Sequence, residues 1–138
     1  GYGLPAAVGA ALAHSAHGRL SLSIQPDGDL MYAPGAIWTA VHHKIPLLSV
    51  MHNNRAYHQE VMHLQRMANR RQRGVDRAWI GTVIDDPPID YAMLAKSMGM
   101  WAEGPITEPR DLGPALKRAL AVVKGGRPAL LDVVTQPR

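Results

Sequence analysis

The sequence predicts a three-layer α/β/α domain built on a mainly parallel β-sheet. Segments of helical and strand character alternate along the chain in the order α-β-α-β-α-α-β-α-β. Alternation of this kind gives parallel strands with helices on both faces. Two segments, Pro46 to His52 and Pro128 to Thr135, are short and almost continuously apolar, as expected for strands that are buried on both sides.

The other elements have their own sequence signals. A first helix begins near Pro5, which suits a first helical turn, and stops at Gly18. A strand from Leu20 to Gln25 alternates in polarity and is bounded by turn residues. The remaining segments are a helix from Pro34 to His43, a helix from Gln59 to Arg71, a loop over residues 74 to 88, an amphipathic helix from Ile89 to Met98, a strand from Met100 to Glu103 and a long helix from Pro109 to Lys124.

The length and composition fit one globular domain over residues 1–138. A chain of 138 residues can bury a core but is short for two domains. It begins abruptly at Gly1 without an initiator Met, so we expect a piece of a longer chain. No apolar run reaches the length of a membrane span, and there is no cysteine for a disulfide or a thiolate site. We therefore expect a cytoplasmic protein with no membrane partner.

A basic cluster accounts for most of the net charge of +4. Its members are Arg66, Arg70, Arg71, Arg73 and Arg77. Such a cluster can bind nucleic acid or another polyanion, or it can be a solvated helix face and loop. The solvated face is the favoured interpretation, because no aromatic platform or nucleic-acid motif accompanies the arginines, and we expect no nucleic-acid partner.

Two predicted strands end in polar residues with oxygen atoms, Asp27 and Asn54. The separation of the two residues, about one β-α-β unit, would place them side by side at the carboxyl edge of a parallel sheet. A carboxylate and an amide oxygen suit Mg²⁺, which keeps few protein ligands and fills its octahedron with phosphate oxygens and water. The carbonyl of Ala56 is the simplest third protein ligand, with two diphosphate oxygens and one water completing six.

The turn after Asp27 also suits a diphosphate. Gly28 allows close approach of the backbone to a phosphate, and the amides of Gly28 and Asp29 can donate to it at the start of a helix. Asp-Gly-Asp and Asn-Asn are each common turns and are weak signals alone. Their occurrence one β-α-β unit apart, each after an apolar strand, is much less expected by chance.

These residues carry a resemblance to a known family. Asp27-Gly28 followed by Asn53-Asn54 resembles the signature of thiamine diphosphate enzymes, usually written GDG and then NN. Residues 1–10 look like the helix that precedes this signature in acetolactate synthases and benzoylformate decarboxylases. Residues 127–133 look like the last strand of the same domain. The resemblance covers nearly the whole chain and is weakest from Arg66 to Asp86.

The resemblance implies the diphosphate-binding (PP) domain of a 2-oxo acid decarboxylase or carboligase, hence of a lyase or transferase similar to acetolactate synthase. Carried over by position, the Mg²⁺ ligands would be Asp27, Asn54 and the carbonyl of Ala56. The residues that contact thiamine diphosphate would be Gly3, Leu4, Gly28, Asp29, Asn54, Tyr57 and Gln59. His58 and Glu60 would lie near the reacting atoms as acid-base candidates, although either could simply stabilise the start of a helix.

The resemblance also implies groups that this chain lacks. In the family, the glutamate that activates the aminopyrimidine comes from a pyrimidine-binding domain of the same or a neighbouring subunit. We therefore expect a homodimer or homotetramer, a small 2-oxo acid as substrate, and no turnover by the isolated chain.

Two residues depart from the family pattern. Pro26 replaces the first Gly of the triplet, and Asp29 stands where Ser is frequent. Proline has no N–H to offer, and Asp29 adds a negative charge near a diphosphate unless its side chain turns away or meets an Arg or Lys. The alternative function is accordingly a non-catalytic diphosphate-binding or subunit-assembly module with a decayed site.

Other motifs are weaker. Gly1-x-Gly3 lacks the preceding strand that a dinucleotide fingerprint requires. His42 and His43 are adjacent, His58 and His63 are five apart, and no HExxH occurs. These spacings do not align ligands on a helix face, so we expect no histidine metal site.

Overall fold

The computed structural model describes residues 1–135. Its elements are α1 (Gly3–Ser15), β1 (Leu22–Pro26), α2 (Asp27–Tyr32), α3 (Gly35–His42), β2 (Leu48–Asn53), α4 (His58–Arg70), α5 (Tyr91–Ser97), β3 (Trp101–Ile106), α6 (Pro109–Lys124) and β4 (Ala129–Val134). Within these residues the strands form one sheet in the order β1-β2-β4-β3, with each pair parallel. The predicted α/β class and the mainly parallel sheet are confirmed.

The helix α2 is an addition to the predicted element order. Its six residues follow β1 directly, so the segment between the two strands contains two short helices, α2 and α3. Pro26 precedes α2 with a φ of −70°, which is the angle a proline ring imposes. The proline therefore fits the backbone at the end of β1 without strain.

Helices pack on both faces of the sheet, as predicted. On one face α1, α3 and α5 bury a large apolar cluster that includes Leu4, Ile37, Ala95 and Leu130. On the other face α6 packs over β4 and β3 through Ala115, Ala119 and Val123. Neighbouring side chains of a strand point to opposite faces of the sheet. Because helices cover both faces of β4, its side chains are buried on both sides and its sequence is almost continuously apolar.

The face of α6 that enters the core differs slightly from the predicted one. The helical spacing of apolar residues in the sequence predicts an apolar side formed by Leu112, Leu116, Leu120 and Val123. The structure buries the small residues Ala115 and Ala119 together with Val123, while Leu116 and Leu120 lie at the margin. Small side chains let the helix axis approach the sheet closely. Periodicity alone does not distinguish the stripe that contains the alanines from the neighbouring stripe that contains the leucines.

The helix α4 stands apart from the core. It lies wholly within the described residues and buries none of its side chains; Leu64 is 44% exposed. The arginines between Arg66 and Arg77 are exposed as well. Among residues 1–135, no helix combines the length and apolar character required to cross a membrane.

Candidate functional site

Asp27 and the Asn53-Asn54 turn meet at the carboxyl edge of the sheet. The parallel register pairs Pro26 of β1 with His52 of β2, so both chains leave the sheet side by side. The side chain of Asp27 is almost fully buried, at 1% exposure. Its Oδ1 accepts a hydrogen bond from the Gly28 N–H at 3.0 Å, whereas its Oδ2 has no partner within residues 1–135.

The electrostatics of Asp27 reflect this burial. Loss of water around the carboxyl raises the pKa of Asp27, and nearby backbone N–H groups of Gly28, Arg55 and Ala56 partly oppose the rise. A buried carboxylate oxygen without a partner is costly. The same oxygen is well placed to accept a cation that would remove the cost.

The turn after β2 is held in a fixed shape. The Asn54 Oδ1 accepts a hydrogen bond from the Ala56 N–H at 3.1 Å. The loop over residues 82–84 pairs with the backbone just after Asn54. The Tyr57 N–H donates to the Thr82 carbonyl and the Ile84 N–H donates to the Arg55 carbonyl, each at 2.7 Å. The sequence predicts only a loop over residues 74 to 88. In the structure, residues 82–84 of this loop form backbone hydrogen bonds with the turn beside Asp27.

The backbone of Arg55 occupies the left-handed region, with a φ of +58°. Glycine adopts this conformation freely, and β-branched residues rarely do. We expect Arg55→Gly to leave the free energy of unfolding within about 0.5 kcal/mol of wild type or to raise it, and Arg55→Val to lower it by about 1–2 kcal/mol. Urea denaturation of both variants measures this difference. Equal stability of the two would contradict the strained turn.

The carboxylate of Asp29 turns toward α1. Its Oδ2 accepts a hydrogen bond from the Gly3 N–H at 3.0 Å, and the Gly1 nitrogen lies beside Oδ1. A Cβ at Gly3 would meet the Gln25 Oε1 and come within 2.8 Å of the Asp29 Oδ2, so a larger residue there would have to displace these two side chains.

A groove of about 290 Å³ opens beside Asp27. Its lining comprises Pro26, Gly28, Asp29, Tyr32, Asn54, Ala56, Tyr57, His58, Gln59 and Glu60. The structure thus brings together eight of the site residues named from the sequence. Asp27 lies beneath the groove, Gly3 lies against α2, and the Leu4 side chain is buried in the core.

Tyr32 is a groove residue that the sequence did not reveal, and its ring lies beside that of Tyr57. Their ring centroids are 5.8 Å apart and the rings are tilted by 52°. The Tyr57 ring also lies directly against Gly28, where a Cβ would approach its carbons to 2.4 Å and 2.6 Å. The lack of a side chain at Gly28 therefore admits the tyrosine ring, and the Gly28 N–H is already bound to Asp27.

A second buried carboxylate lies behind the groove. Asp132 of β4 is fully buried, its Oδ1 accepts from the Asn53 Nδ2 at 2.9 Å, and its Oδ2 accepts from the Tyr91 N–H at 3.2 Å. Burial raises the pKa of Asp132. Sequence reasoning missed this residue, although a single aspartate inside the apolar run of β4 was a visible signal.

The site has the donor set that Mg²⁺ prefers. The unpartnered Oδ2 of Asp27, the amide oxygen of Asn54 and the carbonyl of Ala56 belong to adjacent turns, and oxygen ligands suit this ion. Across residues 1–135, no group of three or more His, Asp or Glu side chains is arranged to hold a metal. With so few protein ligands, a bound Mg²⁺ would need oxygens from a second molecule such as a diphosphate.

The fold and the site define an open α/β domain whose candidate ligand site lies at the carboxyl edge of a parallel sheet. The family model described as "Thiamine pyrophosphate enzyme, C-terminal TPP binding domain" matches residues 1–133. The chain belongs to this family of thiamine pyrophosphate-binding domains. The resemblance stated from the Asp27-Gly28 and Asn53-Asn54 motifs is confirmed.

Similar proteins support the same family. The chain is 35% identical over 134 residues to a protein named as a candidate acetolactate synthase large subunit, IlvX, of Mycobacterium tuberculosis, covering 97% of this chain and 25% of that protein. It is 34% identical over 136 residues to benzoylformate decarboxylase of Pseudomonas aeruginosa, covering 99% and 23%. The structure of a thiamine diphosphate-dependent 4-hydroxybenzoylformate decarboxylase from Rhodococcus jostii RHA1 matches with a TM-score of 0.78 and 29% identity, over 99% of this chain and 23% of that one. The chain spans about a quarter of the length of the curated relatives it matches.

Proposed function

We propose that this chain anchors Mg²⁺ and the diphosphate of thiamine diphosphate in a lyase or transferase that acts on a small 2-oxo acid. The enzyme would be a decarboxylase or a carboligase similar to acetolactate synthase. The observation that carries the proposal is the buried, unpartnered Oδ2 of Asp27 beside the Asn54 turn. That oxygen needs a cation, and the cation needs further oxygens from a ligand in the groove.

The metal would be held by residues of two adjacent turns. Asp27 supplies a carboxylate oxygen, Asn54 its amide oxygen and Ala56 its backbone carbonyl. The Asn54 Oδ1 can accept from the Ala56 N–H and still offer a second lone pair. Burial of Asp27 in a rigid setting keeps these donors in place before the ion arrives, which lowers the cost of binding.

The groove residues would bind the cofactor and handle protons. When bound, thiamine diphosphate supplies the electron-accepting chemistry that cleaves or forms the bond next to the substrate carbonyl. Gly28, Tyr57 and Gln59 would line the cofactor. His58 and Glu60, in the first turn of α4, would hold or donate a proton at the imidazole and carboxyl groups.

The charge of Asp29 is compatible with a diphosphate in this groove. Its carboxylate is bound by the backbone of α1, which draws the negative charge away from the opening. The amides that the sequence suggested as phosphate donors are less available. The Gly28 N–H already donates to Asp27, so the metal would carry most of the interaction with the diphosphate.

The rest of the active site would lie in other parts of the protein. We propose a pyrimidine-binding domain, from the same or a neighbouring subunit, that contributes the activating glutamate within a homodimer or homotetramer in the cytoplasm. The apolar residues of α4, of which Leu64 is exposed and none is buried, are suited to contact such a domain. The isolated chain would bind weakly and would not turn over.

One observation favours the alternative, a non-catalytic diphosphate-binding or assembly module. The Tyr57 ring occupies the space beside Gly28, the residue that the sequence suggests for contact with the diphosphate. In the catalytic proposal this ring moves aside, since it belongs to the start of α4 and lies against a partly exposed tyrosine.

Calorimetric titration of the full-length protein with thiamine diphosphate tests the proposal. We expect binding with Mg²⁺, loss of binding with EDTA, and much weaker binding of thiamine, which lacks the diphosphate. The protein should then release CO₂ from, or ligate, at least one member of a panel of 2-oxo acids. Binding without any turnover would support the non-catalytic module, and absence of metal-dependent binding would overturn both.

A further inference from the structure

Asp132 connects three parts of the fold that meet behind the candidate metal site. It lies in β4 and is paired in register with Met51 of the neighbouring β2. Its carboxylate joins the last residue of β2, Asn53, to the first residue of α5, Tyr91. The Asn53 carbonyl is held as well, because it accepts a hydrogen bond from the Thr135 N–H at 2.8 Å. Both polar ends of Asn53 are therefore bound to β4 and its extension.

The chemistry of the two donors explains why a carboxylate stands at this position. The Asn53 amide group and the Tyr91 N–H are both hydrogen-bond donors, so the side chain between them must accept twice. An ionised carboxyl has two accepting oxygens, whereas an asparagine in the same place has one acceptor and one donor. Burying this charge is costly, and an apolar residue would suit a purely structural strand better.

The position of Asn53 determines that of the proposed metal ligands. Asn54 follows it directly, and the Asn54 side chain in turn sets the Ala56 amide through a 3.1 Å hydrogen bond. The loop over residues 82–84 holds the far side of this turn. A shift of Asn53 would move the Asn54 oxygen and the Ala56 carbonyl away from the Asp27 carboxylate, which is fixed separately at the end of β1.

The side chain of Tyr91, whose N–H binds Asp132, is buried as well. Tyr91 is almost completely buried, and its hydroxyl has no hydrogen-bond partner within residues 1–135. Burial, and then the charges of Asp27 and Asp132, raise the pKa of Tyr91.

We propose that Asp132 is a positioning residue for the metal site: by holding Asn53, it sets the geometry of Asn54 and Ala56 relative to Asp27 and so the affinity of the site for Mg²⁺. Asp132 does not itself contact the ion, the cofactor or the substrate. The inference rests on the proposed function of the site as an anchor for Mg²⁺ and a diphosphate.

The test measures the Mg²⁺ concentration at half-saturation of thiamine diphosphate binding in the full-length protein. Residues that orient metal ligands typically change metal affinity by about 10- to 100-fold. We expect Asp132→Asn and Asn53→Ala each to raise the half-saturating Mg²⁺ concentration at least about tenfold. Because both act through the same hydrogen bond, the double variant should be little worse than the poorer single variant. At saturating Mg²⁺ and cofactor, binding stoichiometry should remain that of the wild type.

A carboxylate on the adjacent strand provides the matched control. Glu103 of β3 is partly exposed and bound to Arg118, with an Nε to Oε2 distance of 2.9 Å. Glu103→Gln should leave the Mg²⁺ dependence unchanged. If Asp132→Asn does not fold, Asn53→Ala measures the same effect alone.

The outcomes separate this inference from the proposed function. Wild-type protein that shows no Mg²⁺-dependent binding would overturn the proposed function, and the inference would fall with it. Normal wild-type binding, with variants that melt at lower temperature but keep the wild-type Mg²⁺ dependence, would overturn the positioning role alone. Additive effects in the double variant would likewise show that the two residues act independently.

Discussion

Asp27→Asn is expected to abolish metal-dependent cofactor binding and, at the same time, to stabilise the cofactor-free protein. The amide keeps the shape of the side chain and the hydrogen bond from the Gly28 N–H. It removes the buried charge whose Oδ2 has no partner within residues 1–135. Loss of the only carboxylate in the proposed donor set should weaken Mg²⁺-dependent binding of thiamine diphosphate by roughly 100-fold or more. Calorimetric titration measures this loss.

The gain in stability should depend on pH in a defined direction. Burial raises the pKa of Asp27 above its usual value, so the folded wild type loses stability as the carboxyl ionises. Asp27→Asn mimics the neutral form and should raise the free energy of unfolding by on the order of 1 kcal/mol at pH 7. The gain should be complete above the raised pKa of Asp27 and should disappear as the pH falls through it.

Asp111→Asn is the control for this experiment. Asp111 is an exposed carboxylate in the first turn of α6, far along the chain from the site. Its replacement should change the free energy of unfolding by no more than about 0.5 kcal/mol and leave cofactor binding intact. An Asp27→Asn protein that binds thiamine diphosphate as the wild type does would exclude Asp27 as a metal ligand. Destabilisation at pH 7 would show that the carboxylate has a partner in the folded protein.

The two expected effects of Asp27→Asn, weaker cofactor binding and a higher free energy of unfolding, have a common cause in the buried charge. A buried charge without a partner lowers the stability of the free protein, and such costs are common where a site is prepared for a ligand. Mg²⁺ and a diphosphate would offset the cost on binding. A ligand that binds only the folded protein raises its apparent stability. Mg²⁺ and thiamine diphosphate should therefore stabilise the wild type but not the Asp27→Asn protein.

The sequence predicted those features that follow from strand order and local pattern. Apolar runs located β2 and β4 to within two residues, and the alternation of elements gave a parallel sheet. Parallel pairing then required Asp27 and Asn54 to leave the sheet at the same edge, and the register of β1 and β2 confirms that proximity. Their roles as metal ligands stay a prediction.

Features that depend on contacts between distant segments were not predictable in the same way. The pairing of residues 82–84 with the Asn54 turn leaves no periodic pattern in a loop. The orientation of Asp29 toward Gly3 depends on where α1 begins relative to α2. The bond between Asn53 and Asp132 joins residues 79 positions apart. In each case the partner is chosen by packing and not by the neighbours in the chain.

Gly104→Ala is expected to give the largest loss of stability among single substitutions of glycine. The φ of Gly104 is +144°, a conformation that side chains disfavour strongly. A Cβ there would also lie 2.7 Å from the carbonyl oxygen of Asp132 and 3.1 Å from its Cα. Because these are backbone atoms of β4, no side-chain rotation can relieve the clash. We expect a loss of about 3 kcal/mol or more in the free energy of unfolding.

Gly9→Ala makes the matched comparison, because it is the same chemical change in an open position. Gly9 lies inside α1, is exposed and is followed by Ala10, and a Cβ there would meet nothing within 4 Å. Alanine should raise the free energy of unfolding by about 0.5–1 kcal/mol, since glycine costs more backbone entropy in a helix. Urea denaturation of both variants at pH 7 measures the two shifts, and a Gly104→Ala protein within about 1 kcal/mol of wild type would contradict the close approach of β3 to β4.

The location of the Gly104 clash connects stability to the metal site. The register of β3 against β4 shifts between Glu103 and Ile106, and glycine within a strand often marks such a close backbone approach. The clash would displace Asp132, which holds Asn53 beside the proposed ligands. If any Gly104→Ala protein remains folded, its half-saturating Mg²⁺ concentration should rise together with that of Asp132→Asn, whereas Gly9→Ala should match the wild type. A destabilised Gly104→Ala protein with wild-type Mg²⁺ dependence would mean that the turn after β2 keeps its geometry without support from β4.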